Sequence, residues 1–419
     1  MSDWHSRTLQ EIISTIESGT RPKGGVRIGE NSEGVPSYGG ENISMNGGML
    51  YDSVRMVPTS FATEMRRGVL SDKDVLINKD GANTGKSAIY RKPAGEKFAT
   101  INEHLFLLRC NKGIAEQEFL YHFLNSEFGK SQIAKVITGS AQPGLNSTFP
   151  EFVRIDLPPL PEQKKIAEIL SGIDKSIRSL NASEKKYREL ISATEESIFS
   201  VFRQDNLDMQ ERAVHNNKEA TALGDIFEFR NGLNYSKANT GRGLRVVGVG
   251  HFKDYRTPKY ELLGELSPVG LDFKSSLLEE GDFLFVRSNG NRLLIGRCLS
   301  IENIPAGTPV AHSGFTIRAR PMKQHSYTRN YIKQLLQSRV FRRSVAELGG
   351  GTNISNLSQD ILAGTIIALP SIQRQGKESS GLLAIQDFID HIQRKLTKLQ
   401  ALKTSLQSDL LSGRKRVSI

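Results

Sequence analysis

The chain is written twice, and this repeat limits what it can fold into more than any other feature. Leu9-Gln10-Glu11-Ile12 matches Leu223-Gly224-Asp225-Ile226, and a glycine turn follows each, Ser18-Gly19 and Asn231-Gly232. Asp74-Val75-Leu76 with Gly81 matches Asp282-Phe283-Leu284 with Gly290, and 139–146 match 349–356. Leu157-Pro158 and Gln163 match Leu369-Pro370 and Gln375, and Ile173-Asp174 matches Ile389-Asp390. The order is kept throughout, with an offset of about 214 at the start and about 216 at the end. A chain of 419 residues built this way is expected to fold as two similar domains.

Each copy has the same anatomy. Short β-branched or aromatic runs between Gly, Asn and Asp predict strands at 74–77, 105–109, 283–286 and 365–369. Helices are expected over 117–137 and 329–347. A proline-bounded strand end follows, Leu157-Pro158-Pro159 or Leu369-Pro370, and then a long helix. The first helix carries a seam with steps of four and three: Ile166, Leu170, Ile173, Ile177, Leu180, Glu184, Tyr187, Ile191, Thr194, Ile198 and Val201. The second carries Ile389, Ile392, Leu396, Leu399, Lys403, Leu406 and Leu410. The polar run 376–381 reads as an insertion ahead of it. An apolar stripe needs a cover, and the two helices can supply it for each other. One leaves the first domain and the other leaves the second, so side by side they must run antiparallel. The reading is α+β: two similar α/β domains, 1–157 and 215–371, separated by long antiparallel coiled-coil helices in 158–214 and 372–419, with a pseudo-two-fold repeat. At ~1.5 Å per residue, 389–410 span roughly 33 Å, close to the 34–36 Å of one turn of B-DNA.

Charge narrows the function. Lys and Arg exceed Asp and Glu by 11, which favours a polyanionic partner. The opening residues are polar and lack an apolar core for export, and no apolar run is long enough to span a bilayer. The two cysteines, Cys110 and Cys298, have no metal spacing and read as reduced thiols of a cytoplasmic protein.

Catalytic signatures fail on inspection. Gly81-Ala82-Asn83-Thr84-Gly85-Lys86-Ser87 has three residues between its glycines where a phosphate loop needs four, and a strand rather than a helix is expected after it. Asp156 with Glu162 and Lys164 resembles a nuclease set, but prolines intervene and Glu162 suits a helix start. Gly248-Val249-Gly250 lacks the third glycine of a dinucleotide loop, and the histidines, His104 and His312 among them, are scattered. The loops instead carry Arg, Lys, Asn and Tyr beside glycines. In the first copy these are Arg21, Lys23, Tyr38, Asn42, Lys79, Asn83 and Lys86. In the second they are Asn234, Tyr235, Lys237, Arg242, Arg245, Arg287, Asn289, Asn291 and Arg292. Arg and Lys suit guanine edges and phosphates, and Asn suits adenine. These sixteen are the candidate DNA-binding residues; no catalytic or metal residue is assigned.

Five stretches resemble the specificity subunit of type I restriction–modification systems: Leu9 and Ile12 with Gly19-Thr20-Arg21-Pro22; 75–86; 139–146; 155–166, with its Leu157-Pro158-Pro159-Leu160-Pro161-Glu162-Gln163 run; and 351–357 in the second copy. The resemblance implies a non-catalytic subunit whose two target-recognition domains each read half of a bipartite asymmetric site on double-stranded DNA. It also implies that helices act as a ruler, that methyltransferase subunits assemble on the scaffold, and that translocase–nuclease subunits join for restriction. S-adenosylmethionine, ATP and magnesium would serve those partners, and this chain would bind no cofactor. Two rivals remain from the residues alone: an enzyme acting on DNA by itself, and a structural coiled-coil adaptor with non-specific DNA binding.

Overall fold

The computed structural model describes residues 3–23, 34–44, 47–139, 143–203, 208, 211, 214, 216, 218–236, 239–252, 256–322, 326–348 and 356–418, with Phe202, Arg203 and Arg292 described for the backbone alone. It divides into unit 1, Met1–Ala182 with Gln393–Ile419, and unit 2, Ser183–Ile392.

Unit 1 runs through β1 (His5–Thr8), α1 (Leu9–Ile12), β2 (Ile13–Ser18), β3 (Val35–Tyr38), β4 (Arg55–Val57), α2 (Thr59–Glu64), β5 (Val75–Asn78), β6 (Ser87–Ile89), β7 (Thr100–Ile101), β8 (Leu105–Cys110), α3 (Gln117–Leu124), α4 (Glu127–Val136) and β9 (Arg154–Leu157), and enters the long helix α5 (Leu160–Ile198). Beyond α5, unit 2 runs through β10 (Val201–Arg203), β11 (Lys218–Ala222), α6 (Leu223–Ile226), β12 (Phe227–Asn231), β13 (Thr240–Val247), β14 (Gly264–Leu266), β15 (Phe283–Val286), β16 (Cys298–Ser300), β17 (Val310–His312), β18 (Thr316–Pro321), α7 (Arg329–Gln337), α8 (Arg339–Leu348), α9 (Gln359–Ala363) and β19 (Thr365–Pro370) to α10 (Ile372–Leu410).

The two units share one topology. Unit 1 has an antiparallel sheet β2-β8-β5-β6 and a smaller sheet β4-β3-β7, in which β3 runs parallel to β7. Unit 2 has β12-β18-β15-β16 and β14-β13-β17, with β13 parallel to β17. The strand leading into each long helix pairs with an early strand of its unit, β9 with β1 and β19 with β11, and β19 is flanked on its other side by β10.

The central strands explain themselves. Val75–Asn78 and Phe283–Val286 are buried on both faces, so their sequences run apolar without alternation. Alternate side chains then serve two cores. Val75 and Ile77 join Phe106, Leu108 and the helix residue Phe119, while Leu76 joins Leu107, Ala88 and Tyr90. In unit 2, Phe283 and Phe285 join Ile317 and Tyr331, and Leu284 and Val286 join Leu299 and Val310. A buried carboxylate marks the start of each central strand. Asp74 accepts Arg109 Nε and Nη2 at 2.7 Å each, and Asp282 accepts Arg320 Nε and Nη2 at 2.9 and 2.8 Å. Both guanidiniums are held more firmly in their charged form by these bonds.

Two expectations need correction. The helices expected over 117–137 and 329–347 are each broken in two. Ser126 caps α4 by accepting Gly129 N at 3.0 Å and donates back to Phe123 O at 2.6 Å. Ser338 repeats both bonds, to Phe341 N at 3.0 Å and Leu335 O at 2.7 Å. The polar run 376–381 is likewise no insertion: α10 passes straight through it. Its Gly376 and Gly381 face open space, and its seam extends upstream through Gln375, Ser379 and Leu382, all buried. Both long helices have 39 residues, and a buried glutamine sits at the same point in each. That shared register sets Ile177, not Ile173, against Ile389.

The seam positions of α5 are buried or half-buried, while Lys185, Lys186, Glu189 and Arg178 beside them are exposed. Each unit contains a segment of both helices. In unit 1, Glu162 binds Arg416 and Asp174 binds Lys403 at 2.6 Å, so rising numbers on α5 meet falling numbers beyond and along α10. In unit 2, the Tyr187 and Phe388 rings lie 4.5 Å apart, and Ile191 packs against the core cluster that Leu382 joins. The pairing is antiparallel in both. The polar breaks of the seams have partners: Lys403 pairs with Asp174, Glu184 takes Arg188 one turn on at 2.7 Å, and Thr194 donates its hydroxyl to Leu190 O at 2.8 Å.

Candidate nucleic-acid interface

At one end of each main sheet the strand ends and turns are stitched into a rim. In unit 1 the Lys79 amide donates to His104 O at 3.0 Å, and Leu145 N donates to Lys79 O at 2.6 Å. Lys79 Nζ reaches Ser18 Oγ at 3.1 Å and lies 5.4 Å from the Phe106 ring centroid. In unit 2 Arg287 occupies the same node. Its amide donates to Phe315 O at 2.8 Å, and its carbonyl accepts Leu357 N at 2.8 Å. Arg287 Nη1 donates to Gly314 O at 3.3 Å. The turn glycines of the repeat sit beside these nodes. A Cβ on Gly19 would overlap the Ile101 carbonyl, and one on Gly232 the carbonyls of His312 and Ser313, so no other residue lets the strands approach this closely.

The candidate residues do not all share these rims. Arg21 is 67% exposed and pairs with Glu103 at 3.1 Å, and Lys23 is exposed. Asn83 and Lys86 bond each other on the turn after Lys79, and Asn83 Nδ2 reaches Gly40 O at 3.4 Å. Tyr38 and Asn42 are different, each only 2% exposed. Tyr38 donates to Glu96 at 2.8 Å, and burial pushes its phenol up, so it is a core residue. Asn42 accepts Gly39 N and donates to Leu50 O, fixing its own loop. Neither can reach a duplex edge, because their polar atoms are already used inside the fold. In unit 2, Asn234 and Tyr235 are exposed beside Gly314, and Arg242 is exposed on β13. Arg245, on β13 of the smaller sheet, pairs with Glu265 at 3.5 Å. Asn289 and Asn291 use their side-chain oxygens to hold the amides of Asn291 and Leu293. The backbone of Arg292 lies in the same short turn, Arg292–Leu294. Lys237, and the repeated stretches at 140–142 and 349–355, lie outside the described residues.

Sequence reasoning passed over two rim residues. His104 and Phe315 occupy the same place, immediately before β8 and β18, with their carbonyls bound by the Lys79 and Arg287 amides. They share no chemistry, so only the repeated backbone reveals them. His104 Nδ1 pairs with Asp80 at 2.7 Å. The rejected phosphate-loop segment forms a 3-10 turn, Gly81–Asn83, followed by β6 rather than a helix. Glu162 stands in the first turn of α5, as expected of a helix start, and holds Arg416. Among the described residues, no cluster of His, Cys, Asp or Glu could hold a metal ion, and no helix is long and apolar enough to cross a membrane.

Fold and rims thus define a class: a duplicated α+β binding protein with a matching basic rim in each half. Residues 1–187 match the family model of the type I restriction modification DNA specificity domain. Over 99% of its length the chain is 22% identical to the type I restriction enzyme MjaVIII specificity subunit of Methanocaldococcus jannaschii, covering 93% of that protein. It is 23% identical over 98% of its length to the StySPI specificity subunit of Salmonella potsdam, covering 89%. The crystal structure of the type I restriction–modification S subunit from M. genitalium has the same fold: TM-score 0.61 at 14% identity, covering 98% of this chain and 96% of that one. Over nearly its whole length the chain thus resembles the specificity subunits of type I restriction–modification systems, and its first 187 residues match the DNA specificity domain of that family.

Proposed function

We propose that the chain reads a split, asymmetric site on double-stranded DNA, one half-site per unit, and carries methyltransferase subunits to it. The observation that carries this reading is the repeated node. Lys79 and Arg287 hold equivalent cations among equivalent turns, while the surrounding side chains differ between the two rims. Equivalent cations suit phosphates or guanines in both halves, and different neighbours suit different sequences. The readers are proposed to span 1–157 and 215–371, with 158–214 and 372–419 as spacers whose paired helices set the gap. Arg21, Lys23, Lys79, Asn83 and Lys86 would serve the first half-site. Asn234, Tyr235, Arg242, Arg287, Asn289 and Asn291 would serve the second, with Lys237 and Arg292. Translocase–nuclease subunits would join the same scaffold in the cytoplasm, and those partners would use S-adenosylmethionine, ATP and magnesium.

The test is selection from a random duplex library by the full chain together with its methyltransferase subunit, followed by footprinting. Expected are one selected sequence with a non-specific gap and protection in two patches. Binding without any selected sequence would favour an adaptor with incidental charge and contradict the proposal.

A further inference from the structure

Phe315 is an exposed apolar residue set directly on the node of the second rim. Its ring is 63% exposed, while His312, Ser313 and Thr316 around it are 0%, 2% and 0% exposed. The turn that presents it is locked. Thr316 N and Oγ1 both donate to Ser313 O, at 2.9 and 2.7 Å, and His312 Nδ1 pairs with Thr316 Oγ1 at 3.0 Å. Gly314 N donates to Leu233 O at 2.7 Å, and Phe315 O accepts Arg287 N. An apolar ring is thus held out in water, beside the rim's cation, with little freedom left to hide. In unit 1 the equivalent tip is His104, bound to Asp80 and resting on the same backbone bond. The support of the tip is duplicated while its chemistry changes completely, as suits a position that distinguishes two half-sites.

We infer that Phe315 is a specificity-determining residue whose ring contacts the C5-methyl group of a thymine in the half-site read by unit 2. The inference rests on the reading of the chain as a two-headed DNA reader. A phenyl ring has no hydrogen bond to offer a base edge, and the thymine methyl is the apolar mark of the major groove. His104, with ring nitrogens and a carboxylate neighbour, reads its own half-site by hydrogen bonds instead.

The experiment uses the full chain with its methyltransferase subunit on the selected duplex. The half-site of unit 2 is assigned by Arg287→Ala. Each thymine is then replaced in turn by deoxyuridine, which removes only the methyl group, for the unchanged chain and for Phe315→Ala. At one thymine of that half-site, deoxyuridine is expected to weaken binding of the unchanged chain about three- to fivefold. Phe315→Ala should lose the same factor on the natural duplex and nothing further on the deoxyuridine duplex. Unchanged preferences at the remaining positions of the unit 2 half-site show that unit 2 of the variant is folded. If both proteins respond alike at every thymine, the inference is overturned. A duplex bend lost in Phe315→Ala with no methyl sensitivity overturns it in favour of a minor-groove wedge. Failure of the unchanged chain to select any sequence would instead remove the two-headed reading itself.

Discussion

At the scale of single residues, the repeat shows where the fold accepts different chemistry. His122 is completely buried in unit 1, its Nε2 3.0 Å from Ser171 Oγ and its Nδ1 3.9 Å from Asp174. Burial pushes its pKa down to about 4, so the imidazole is neutral in the folded chain. The unfolded chain therefore binds more protons between pH 6.5 and 4, and stability falls as pH drops through that window, by on the order of 3 kcal/mol at pH 4. Unit 2 has Gln334 at the equivalent helix position, with Nε2 donating to Ser379 O at 3.1 Å. His122→Gln should therefore flatten the acid side of the thermal unfolding profile of unit 1 between pH 6.5 and 4. A slope equal to that of the unchanged chain would mean that His122 does not carry the effect. Sequence alone left His122 unremarked, because a lone histidine announces neither burial nor partner.

At the scale of elements, the short central strands and long helices were legible because their patterns are local. Their joints were not. The breaks at Ser126 and Ser338 depend on a hydroxyl accepting one amide and donating to another carbonyl, and a serine inside an apolar pattern carries no visible sign of that. Tyr38 and Asn42 were misplaced for a related reason: turn-forming polar residues look alike whether they face a ligand or bind their own loop. The joint between each reader and its long helix rests on one glutamine. Gln163 donates to Pro158 O and Ile114 O at 2.9 and 3.1 Å and accepts Glu116 N at 2.8 Å. Gln375 repeats the set with Pro370 O, Ser326 O and Thr328 N at 2.8, 2.9 and 2.7 Å. Each is essentially inaccessible to water. Gln163→Ala leaves three buried groups unpaired and should cost about 2–4 kcal/mol. Amide exchange of Glu116 and of the first turn of α5 should accelerate accordingly, and unaltered protection there would contradict the assigned joint.

At the scale of the whole molecule, duplication was the strongest signal in the sequence, and the two units repeat one another in their four-stranded and three-stranded reader sheets, while the sheet at the joint with the long helix gains β10 in unit 2. The offset of the last matched pair, Ile173 with Ile389, misled because similar seam residues recur every three or four positions and a slip of one helical turn still finds an isoleucine. If the paired helices set the gap between half-sites, seven residues added to each should lengthen that gap by about three base pairs and leave both half-sites unchanged. Selection of duplexes by the extended chain reads this directly, and an unaltered gap would remove the ruler role. The most direct measurement for the molecule as a whole is methylation profiling of host DNA with the methyltransferase partner expressed, in the presence and absence of this chain. Methylation at one split, asymmetric sequence, found only when the chain is present, is the expected result; identical profiles with and without it would contradict its role as the subunit that chooses the DNA target.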